Sequence, residues 1–312
     1  MARSALIAIG GNSLIRAGEK GTIAEQLSNT RRTARAIVEL IDGGFEVVVT
    51  HGNGPQVGAA LIRSERASDQ VYGHPLDVCD ATTQGEIGYL LQQSLCNELA
   101  ERGKRHPVAT VVSQVVVSAT DPAMQKPTKP VGPFYTQADA EAKRDSLGWQ
   151  VVEDAARGWR RVVPSPEPLE IVEESTIRGL LGQGVLVIAV GGGGIPVVRE
   201  GSALRGVEAV IDKDRASALL AARLKVDLFV ISTDATNVFL DYKKPNQRAL
   251  AEVGAGELEG YYRQGQFPPG NMGPKVESAL RFLKGGGGQC IITSYEHLVD
   301  AVAGKAGTRI FP

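Results

Sequence analysis

The sequence predicts an α/β fold, a three-layer αβα sandwich on a mainly parallel open sheet, with an inserted and protruding subdomain. Short apolar runs alternate with amphipathic stretches of helical periodicity, and glycine-rich turns close several of these runs. Prolines crowd the middle of the chain and interrupt this alternation. We therefore expect one domain over residues 1–312, with the inserted subdomain at residues 118–168.

The first elements follow directly from the apolar pattern. Residues 5–9 (ALIAI) predict a buried strand, and Gly10 and Gly11 predict a tight turn after it. Apolar residues at helical intervals predict a helix over residues 25–42, which Gly43 ends. Residues 46–50 (EVVVT) predict the next strand, followed by the turn sequence HGNGPQ.

The next segment combines a long helix with a β-branched run. A leucine and isoleucine stripe with a four-residue repeat predicts a helix over residues 83–102. Residues 109–117 (ATVVSQVVV) predict one buried strand. The proline-rich residues 118–168 also contain both tryptophans, and we expect hairpins and turns there.

The alternation resumes after the insertion. Strands are expected at residues 185–190, 228–232 and 289–292, and helices at residues 173–181, 214–223, 256–264, 274–284 and 294–303. Four glycines, residues 191–194, close the first of these strands.

Composition excludes several classes of protein. Of the 312 residues, 43% are hydrophobic and 22% are charged, which is typical of a folded domain and unlike a disordered chain. A net charge of −1 lacks the excess of positive charge of a nucleic-acid-binding protein. The apolar runs are shorter than the ~20 residues that a membrane span requires, and three scattered cysteines predict neither disulfides nor a zinc site. We expect a cytoplasmic protein without nucleic-acid or membrane partners.

Glycine turns follow the strands at residues 5–9, 46–50 and 185–190. Ligands of parallel α/β sheets bind at the carboxyl ends of the strands, and glycine turns present backbone N–H groups to anions there. The three turns therefore favour a phosphate-binding site. The chain lacks the P-loop sequence G-x-x-x-x-G-K-[ST] and the protein-kinase H-R-D and D-F-G motifs, so it belongs to neither class. A dinucleotide site is weakly supported by Gly52, Gly54 and Gly58, without an acidic strand end to bind ribose.

Three lysines lie among turn residues: Lys129 in PTKPVGPFY, Lys213 in AVIDKDRAS and Lys275 in GNMGPKVES. Lys213 and Lys275 each lie at a predicted helix start, where backbone donors also point outward. Ammonium groups in such places suit a polyphosphate ligand.

Motifs along almost the whole chain resemble the carbamate kinases of the amino-acid kinase superfamily. They occur in family order and are AIGGN (8–12), HGNGPQVG (51–58), TQGEIGY (83–89), QKPTKPVGPFY (125–135), RGWRRVVPSPEP (157–168), GGGGIPVV (191–198), GVEAVIDKD (206–214) and MGPKVESA (272–279). The resemblance implies a homodimer that transfers a phosphoryl group reversibly between ATP and carbamate, giving ADP and carbamoyl phosphate. It also implies Mg²⁺ as cofactor, a role in arginine metabolism and a subdomain over the substrate.

The resemblance also implies roles for individual residues. The catalytic residues would be Lys129, Lys213, Asp214 and Lys275, with Asp214 positioning the lysines and Lys129 reaching in from the insertion. The substrate would be bound by Gly10, Gly11, Asn12, Gly52, Asn53 and Gly54, and the nucleotide by Gly191, Gly192, Gly193, Thr233, Asp234 and Lys275. No residue is assigned as a metal ligand.

The sequence departs from the family pattern near the expected nucleotide site. Val-Asp is replaced by Ala235 and Thr236, Gly-Lys-Pro by Lys243, Lys244 and Pro245, and a common serine by Asn271. Three alternatives stay open at this point: another amino-acid kinase, such as one acting on acetylglutamate, a nicotinamide-dependent dehydrogenase, and a non-catalytic binding protein.

Overall fold

A central eight-stranded sheet carries the fold. The computed structural model describes residues 3–16, 18–154 and 158–312, with the side chain of Asn12 also outside the described part. The strands are β1 (Arg3–Ile9), β2 (Phe45–His51), β3 (Val108–Thr110), β4 (Gln114–Val116), β5 (Lys129–Tyr135), β6 (Gln150–Glu153), β7 (Trp159–Val163), β8 (Glu170–Ile171), β9 (Leu186–Ile188), β10 (Ile195–Glu200), β11 (Ala203–Gly206), β12 (Leu228–Thr233), β13 (Val238–Leu240), β14 (Arg248–Leu250), β15 (Glu252–Gly254), β16 (Gln289–Ser294) and β17 (Thr308–Phe311).

Helices cover both faces of this sheet. They are α1 (Ile23–Asp42), α2 (Gly54–Arg66), α3 (Leu76–Glu101), α4 (Pro122–Gln125), α5 (Gln137–Leu147), α6 (Glu174–Gly182), α7 (Lys213–Leu224), α8 (Ala255–Arg263), α9 (Met272–Lys284) and α10 (Leu298–Val302). Short 3₁₀ turns occupy Gly11–Ser13, Gly191–Gly193 and Tyr295–His297. None of the helices in the described residues is both long enough and apolar enough to span a bilayer.

The large sheet has the strand order β15-β17-β16-β12-β1-β2-β9-β3, and its neighbours pair in parallel except β16 with β17. Along β1, Leu6 and Ala8 pack into one hydrophobic cluster, whereas Ala5, Ile7 and Ile9 pack into another on the opposite face. Burial on both faces explains why the central strands are continuous apolar runs. The predicted αβα sandwich on a mainly parallel sheet is thus confirmed.

The prediction of one strand over residues 109–117 is wrong, because the run divides between two sheets. β3 is an edge strand of the large sheet. β4 pairs with β10 and β8 in a separate four-stranded sheet that also contains β11. The break lies at Ser113, whose N–H donates to Gln84 Oε1 at 2.8 Å and whose hydroxyl accepts from the Val190 N–H at 2.9 Å. These bonds replace the strand pairing and turn the chain out of the large sheet.

Three further elements differ from the sequence prediction. α3 begins at Leu76 rather than at residue 83, and α2 was not predicted. The predicted helix over residues 294–303 is a 3₁₀ turn followed by the short α10. The early part of α3 buries polar side chains, including Asp80, Thr83 and Gln84, so apolar periodicity alone does not mark it.

The proline-rich segment forms a small sheet of its own. β5, β7 and β6 pair antiparallel, and α5 accompanies them. The sheet contacts α2, where the Tyr135 hydroxyl donates to Glu65 at 2.9 Å and Lys143 forms an ion pair with the same carboxylate. These elements lie within residues 118–168, and the status of that range as a separate subdomain stays a prediction.

Candidate active site

The turns after β1 and β2 meet at the carboxyl edge of the large sheet. The Gly52 N–H donates to the Ile9 carbonyl at 3.0 Å, which holds the two turns side by side. A Cβ atom at Gly52 would lie 3.2 Å from the Gly11 amide nitrogen and 3.3 Å from Lys213 Cδ. A side chain at this position would therefore separate the turns from the lysine, and glycine allows the close approach.

Two lysines from different helices bind one buried carboxylate. Lys213 Nζ lies 2.6 Å from Asp214 Oδ1, and Lys275 Nζ lies 2.9 Å from Asp214 Oδ2. The Asp214 side chain is only 5% exposed, and each lysine side chain is 14% exposed. Two ammonium groups are thus held by one carboxylate beside the glycine turns, with the Asp212 and Asp234 carboxylates also close enough to act on Lys275.

Local structure at the start of α7 fixes this cluster. The Asp212 carboxylate caps the helix by accepting from the Asp214 N–H at 3.0 Å. The Ser217 hydroxyl donates to the Lys213 carbonyl at 2.6 Å and lies 2.7 Å from the Thr50 hydroxyl on β2. The first turn of α7 is thereby tied to the second strand.

The electrostatics of the cluster follow from burial and proximity. Burial disfavours the charged form of Asp214, but the ammonium groups of Lys213 and Lys275 outweigh it and hold its pKa well below the usual range. Burial lowers the pKa of Lys213, and the nearby Lys275 lowers it further. The pKa of Lys275 is instead raised, because the Asp214, Asp212 and Asp234 carboxylates outweigh the effect of burial.

Two adjoining pockets open next to the lysines. The smaller, of about 170 Å³, is lined by Gly10, Gly11, Ser13, Lys213, Ser232, Thr233, Asp234, Gly270, Asn271 and Lys275. The larger, of about 240 Å³, is lined by Thr233, Asp234, Ala235, Phe239, Tyr242, Phe267, Pro268, Asn271 and Met272. Three lining residues are common to both, so the two pockets are continuous. One is polar with two cations, and the other offers aromatic and apolar surface.

Two of the residues that depart from the family pattern line these pockets. Ala235 and Asn271 line the larger pocket. Lys243, which stands where the family pattern has glycine, adopts a φ of +63°, in the left-handed region that favours glycine.

The substrate residues predicted from the resemblance lie at the neighbouring turn. Gly54 begins α2 and Asn53 is the residue that precedes its first turn. The Asn53 amide nitrogen donates to Asp80 and, at 2.8 Å, to the Thr83 hydroxyl. The side chain of Asn12 lies outside the described residues.

The turn after β9 packs against the same asparagine. Gly192 has a φ of +71°, and a Cβ atom there would collide with the Asn53 amide and lie 2.6 Å from Asp80 Oδ1. Gly191 contacts His51, and its carbonyl accepts from Gln84 Nε2 at 2.9 Å. Gly191, Gly192 and Gly193 are not among the residues that line the two pockets. Their predicted contact with nucleotide phosphates stays a prediction.

His51 is a buried neutral side chain at this edge. Its ring is 1% exposed, and Nδ1 lies 3.2 Å from the Gly52 carbonyl oxygen. Burial, with a smaller effect of the Lys213 charge, lowers the pKa of His51 to about 4. Because His51 is uncharged at neutral pH and enclosed by glycine turns, we infer that it stabilises the turn after β2 and has no catalytic role.

The insertion reaches the cluster through Lys129. This residue begins β5, and its Nζ lies 3.2 Å from Asp212 Oδ2. The four lysine and aspartate side chains predicted as catalytic therefore lie along the first turn of α7, although their catalytic roles stay predictions.

Sequence reasoning missed several residues of the site. Ser13 and Ser232 line the smaller pocket, and within the described residues their buried hydroxyl oxygens have no hydrogen-bond partner. Four residues of the larger pocket were also missed, because they come from separate segments of the chain and carry no local signal of a shared pocket: Phe239, Tyr242, Phe267 and Met272. Asp80 lies in a polar stretch that did not suggest a helix.

The fold and the cation cluster define a class of protein that binds phosphate groups at the carboxyl edge of a parallel sheet. Comparison with known proteins narrows the class. The model of the amino acid kinase family matches residues 4–294. Carbamate kinase of Thermococcus kodakarensis is 51% identical over 309 residues, covering 98% of each chain, and that of Pyrococcus furiosus is 49% identical over 315 residues, covering 100% of each.

A solved structure agrees in fold as well as in sequence. Carbamate kinase from Giardia lamblia bound to AMP-PNP superposes with a TM-score of 0.95 at 43% identity, covering 99% of this chain and 98% of that one. The chain belongs to the amino acid kinase family, and within it to the carbamate kinases.

Proposed function

We propose that this chain transfers a phosphoryl group reversibly between ATP and carbamate, giving ADP and carbamoyl phosphate. The observation that carries the proposal is the pair of ammonium groups bound to Asp214, which lie beside the glycine turns and line the smaller pocket. Membership of the carbamate kinases supports the choice of substrate. It disfavours the acetylglutamate kinase, dehydrogenase and non-catalytic alternatives.

The nucleotide would lie across the two pockets. The base and ribose suit the larger pocket, where Phe239, Tyr242 and Phe267 offer aromatic surface. The phosphates suit the smaller pocket, which the ammonium groups of Lys213 and Lys275 line. The Giardia relative was solved with AMP-PNP bound, which supports a nucleotide site in this fold.

The small acid would lie at the turn from Gly52 to Gly54. Carbamate is a planar anion, and the α2 N-terminus presents backbone N–H groups to an anion. Gly10 and Gly11 would then lie between this acid and the nucleotide phosphates, where phosphoryl transfer takes place.

Transfer of this kind requires positioning and charge stabilisation more than covalent chemistry. The transition state is loose, with negative charge spread over the oxygens of the transferring group. Lys213 and Lys275, which Asp214 orients, would stabilise this charge. Carbamate oxygen attacks as an anion, so no general base is needed, which agrees with a neutral and enclosed His51. In the reverse direction, an ADP oxygen attacks phosphorus and carbamate leaves.

Mg²⁺ suits the oxygen-lined phosphate pocket. The lining includes the Asp234 carboxylate and the Ser13 and Ser232 hydroxyls, and the two hydroxyl oxygens have no partner among the described residues. Hard oxygen donors and substrate phosphates are the ligands that Mg²⁺ prefers. Asp234 is the residue that would hold it, and the ion would neutralise phosphate charge.

The proposal extends to the insertion and to the assembly. Residues 118–168 would act as a lid that carries Lys129 to the substrate, in line with its contact at Asp212. A homodimeric, cytoplasmic enzyme of arginine metabolism is what the resemblance to the carbamate kinases supports.

A coupled assay tests the proposed function. Purified protein is mixed with ADP, Mg²⁺ and carbamoyl phosphate, and ATP is measured by reduction of NADP⁺ through hexokinase and glucose-6-phosphate dehydrogenase. ATP formation that is saturable in both substrates and reduced by Lys275→Ala supports the proposal. Wild-type protein that forms no ATP above a blank without protein overturns it.

A further inference from the structure

The Asn53 side chain is fixed by α3. Its amide nitrogen donates to the Asp80 carboxylate and, at 2.8 Å, to Thr83 Oγ1. The Thr83 hydroxyl uses its only proton to donate to the Asp80 carbonyl at 2.8 Å, so Oγ1 can act only as an acceptor for Asn53. The amide nitrogen therefore faces α3, and both of its N–H groups are used.

The amide oxygen of Asn53 is left as an acceptor. Within the described residues no donor bonds to this oxygen, and it is not one of the fully buried unpaired atoms, so it keeps some accessible surface. An acceptor that has no partner within the protein and keeps accessible surface is available to a ligand bound at this turn. Gly192 packs against the same amide and prevents it from turning away.

This acceptor stands beside the transfer site. Asn53 follows Gly52, where an added Cβ atom would lie 3.2 Å from the Gly11 amide nitrogen and 3.3 Å from Lys213 Cδ. A small acid held at this turn carries its carboxylate and one further group. In carbamate that group is an amino group, whose N–H bonds require an acceptor.

We propose that Asp80 and Thr83 are positioning residues that present the Asn53 oxygen to the substrate's amino group and so select carbamate over acetate. The inference rests on the proposed function. Acetate has the same shape but carries a methyl group, which would leave the Asn53 oxygen unpaired. A hydroxyl group can donate, so this contact does not exclude bicarbonate.

The test compares carbamoyl phosphate with acetyl phosphate as phosphoryl donors to ADP. The measured quantity is the ratio of their kcat/KM values, because a general loss of structure lowers both values and leaves the ratio unchanged. The variants are Thr83→Val, Asp80→Leu and Asn53→Leu. Thr82→Val is the matched control, since Thr82 is the exposed neighbour of Thr83 and donates to the Val78 carbonyl at 2.9 Å. Asp80→Asn is the conservative variant, which keeps an acceptor for Asn53.

The proposal expects a wild-type ratio well above one, falling about tenfold or more in Thr83→Val, Asp80→Leu and Asn53→Leu, as for one lost hydrogen bond. Thr82→Val and Asp80→Asn should keep the ratio within about threefold of wild type, a change under 1 kcal/mol. A wild-type ratio near one, or an unchanged ratio in Thr83→Val or Asn53→Leu, overturns the inference. If Asp80→Leu does not fold, the other two variants decide.

The same experiment separates the inference from the function on which it rests. Wild-type protein that forms no ATP from either donor contradicts the proposed function. Wild-type protein that forms ATP from carbamoyl phosphate, with a ratio that no α3 variant moves, retains the function and removes Asp80 and Thr83 from selectivity.

Discussion

The Lys129 ammonium nitrogen lies 3.2 Å from a carboxylate oxygen of Asp212, 83 residues further along the chain. Asp212 also caps α7, the helix that begins with Lys213. The insertion and the phosphate site are thus connected through one carboxylate. A phosphate group arriving at the site would compete with Asp212 for the Lys129 ammonium.

Replacing Lys129 should therefore affect catalysis more than stability. We expect Lys129→Ala to lower kcat/KM by about 10²-fold, as for a lost charge contact in the transition state. Its side chain is 38% exposed, so the melting temperature should stay close to that of wild type. Lys126→Ala, an exposed lysine three residues earlier, is the control and should keep normal kinetics. Unchanged kcat/KM in Lys129→Ala would remove this lysine from the mechanism.

The two buried lysines should matter most to turnover. We expect Lys213→Ala and Lys275→Ala each to lower kcat by about 10²-fold or more, because each removes a positive charge beside the transferring phosphoryl group. Lys284→Ala, at the exposed end of α9, is the matched control. Steady-state kinetics with saturating ADP and carbamoyl phosphate measure the effect. Near-normal turnover in both site variants would contradict the assignment.

Asp214 should matter to stability as well as activity. In Asp214→Asn the two buried ammonium groups lose the negative charge between them, and we expect unfolding free energy to fall by about 3–5 kcal/mol. Urea denaturation measures the loss, with Asp300→Asn as an exposed control expected within about 0.5 kcal/mol of wild type. Added inorganic phosphate should restore stability in the variant more than it adds to wild type. A denaturation midpoint equal to that of wild type would show that the cluster does not need its carboxylate.

Much of this arrangement was predictable because strong local signals coincide with it. Apolar runs buried on both faces predicted the central strands, and glycines predicted the turns at one edge of the sheet. Predicted helix starts marked Lys213 and Lys275 as candidate phosphate ligands, but only the resemblance to a family assigned both to one site. Nothing local to either lysine indicates that both reach Asp214, since α7 and α9 meet through the tertiary fold.

The polar side of the site was harder to predict for a physical reason. Asp80 and Thr83 are buried on α3 by hydrogen bonds to Asn53, a contact across 27 to 30 residues. Burial of this kind leaves no apolar periodicity, so the start of α3 and its role at the turn were both missed. The larger pocket was missed for a similar reason, because Phe239 of β13 and Phe267 of the segment before α9 meet only in the tertiary fold.

Two buried titratable groups should give opposite pH dependences of stability. His51 has a pKa of about 4 when folded and 6.5 when unfolded, so stability falls as pH drops from 6.5 towards 4, by about 3 kcal/mol in total. Asp80 has a pKa of about 7 when folded and 3.8 when unfolded, mainly through burial with a further effect of Asp77. Asp80 therefore stabilises the folded state at low pH, and about 4 kcal/mol of this stabilisation is lost as the pH rises from 4 to 7.

Between pH 4.5 and 6.5 the two contributions nearly cancel in wild type, and single variants should separate them. In Asp80→Asn only His51 remains of these two groups, so the free energy of unfolding should rise with pH more steeply than in wild type. In His51→Gln only Asp80 remains of the two groups. The free energy of unfolding should therefore fall with rising pH relative to wild type. Urea denaturation at half-unit pH steps measures both slopes, and the comparison is independent of any constant loss of stability in either variant. If the free energy of unfolding changed with pH in the same way in both variants, neither side chain would have the shifted pKa that its burial implies.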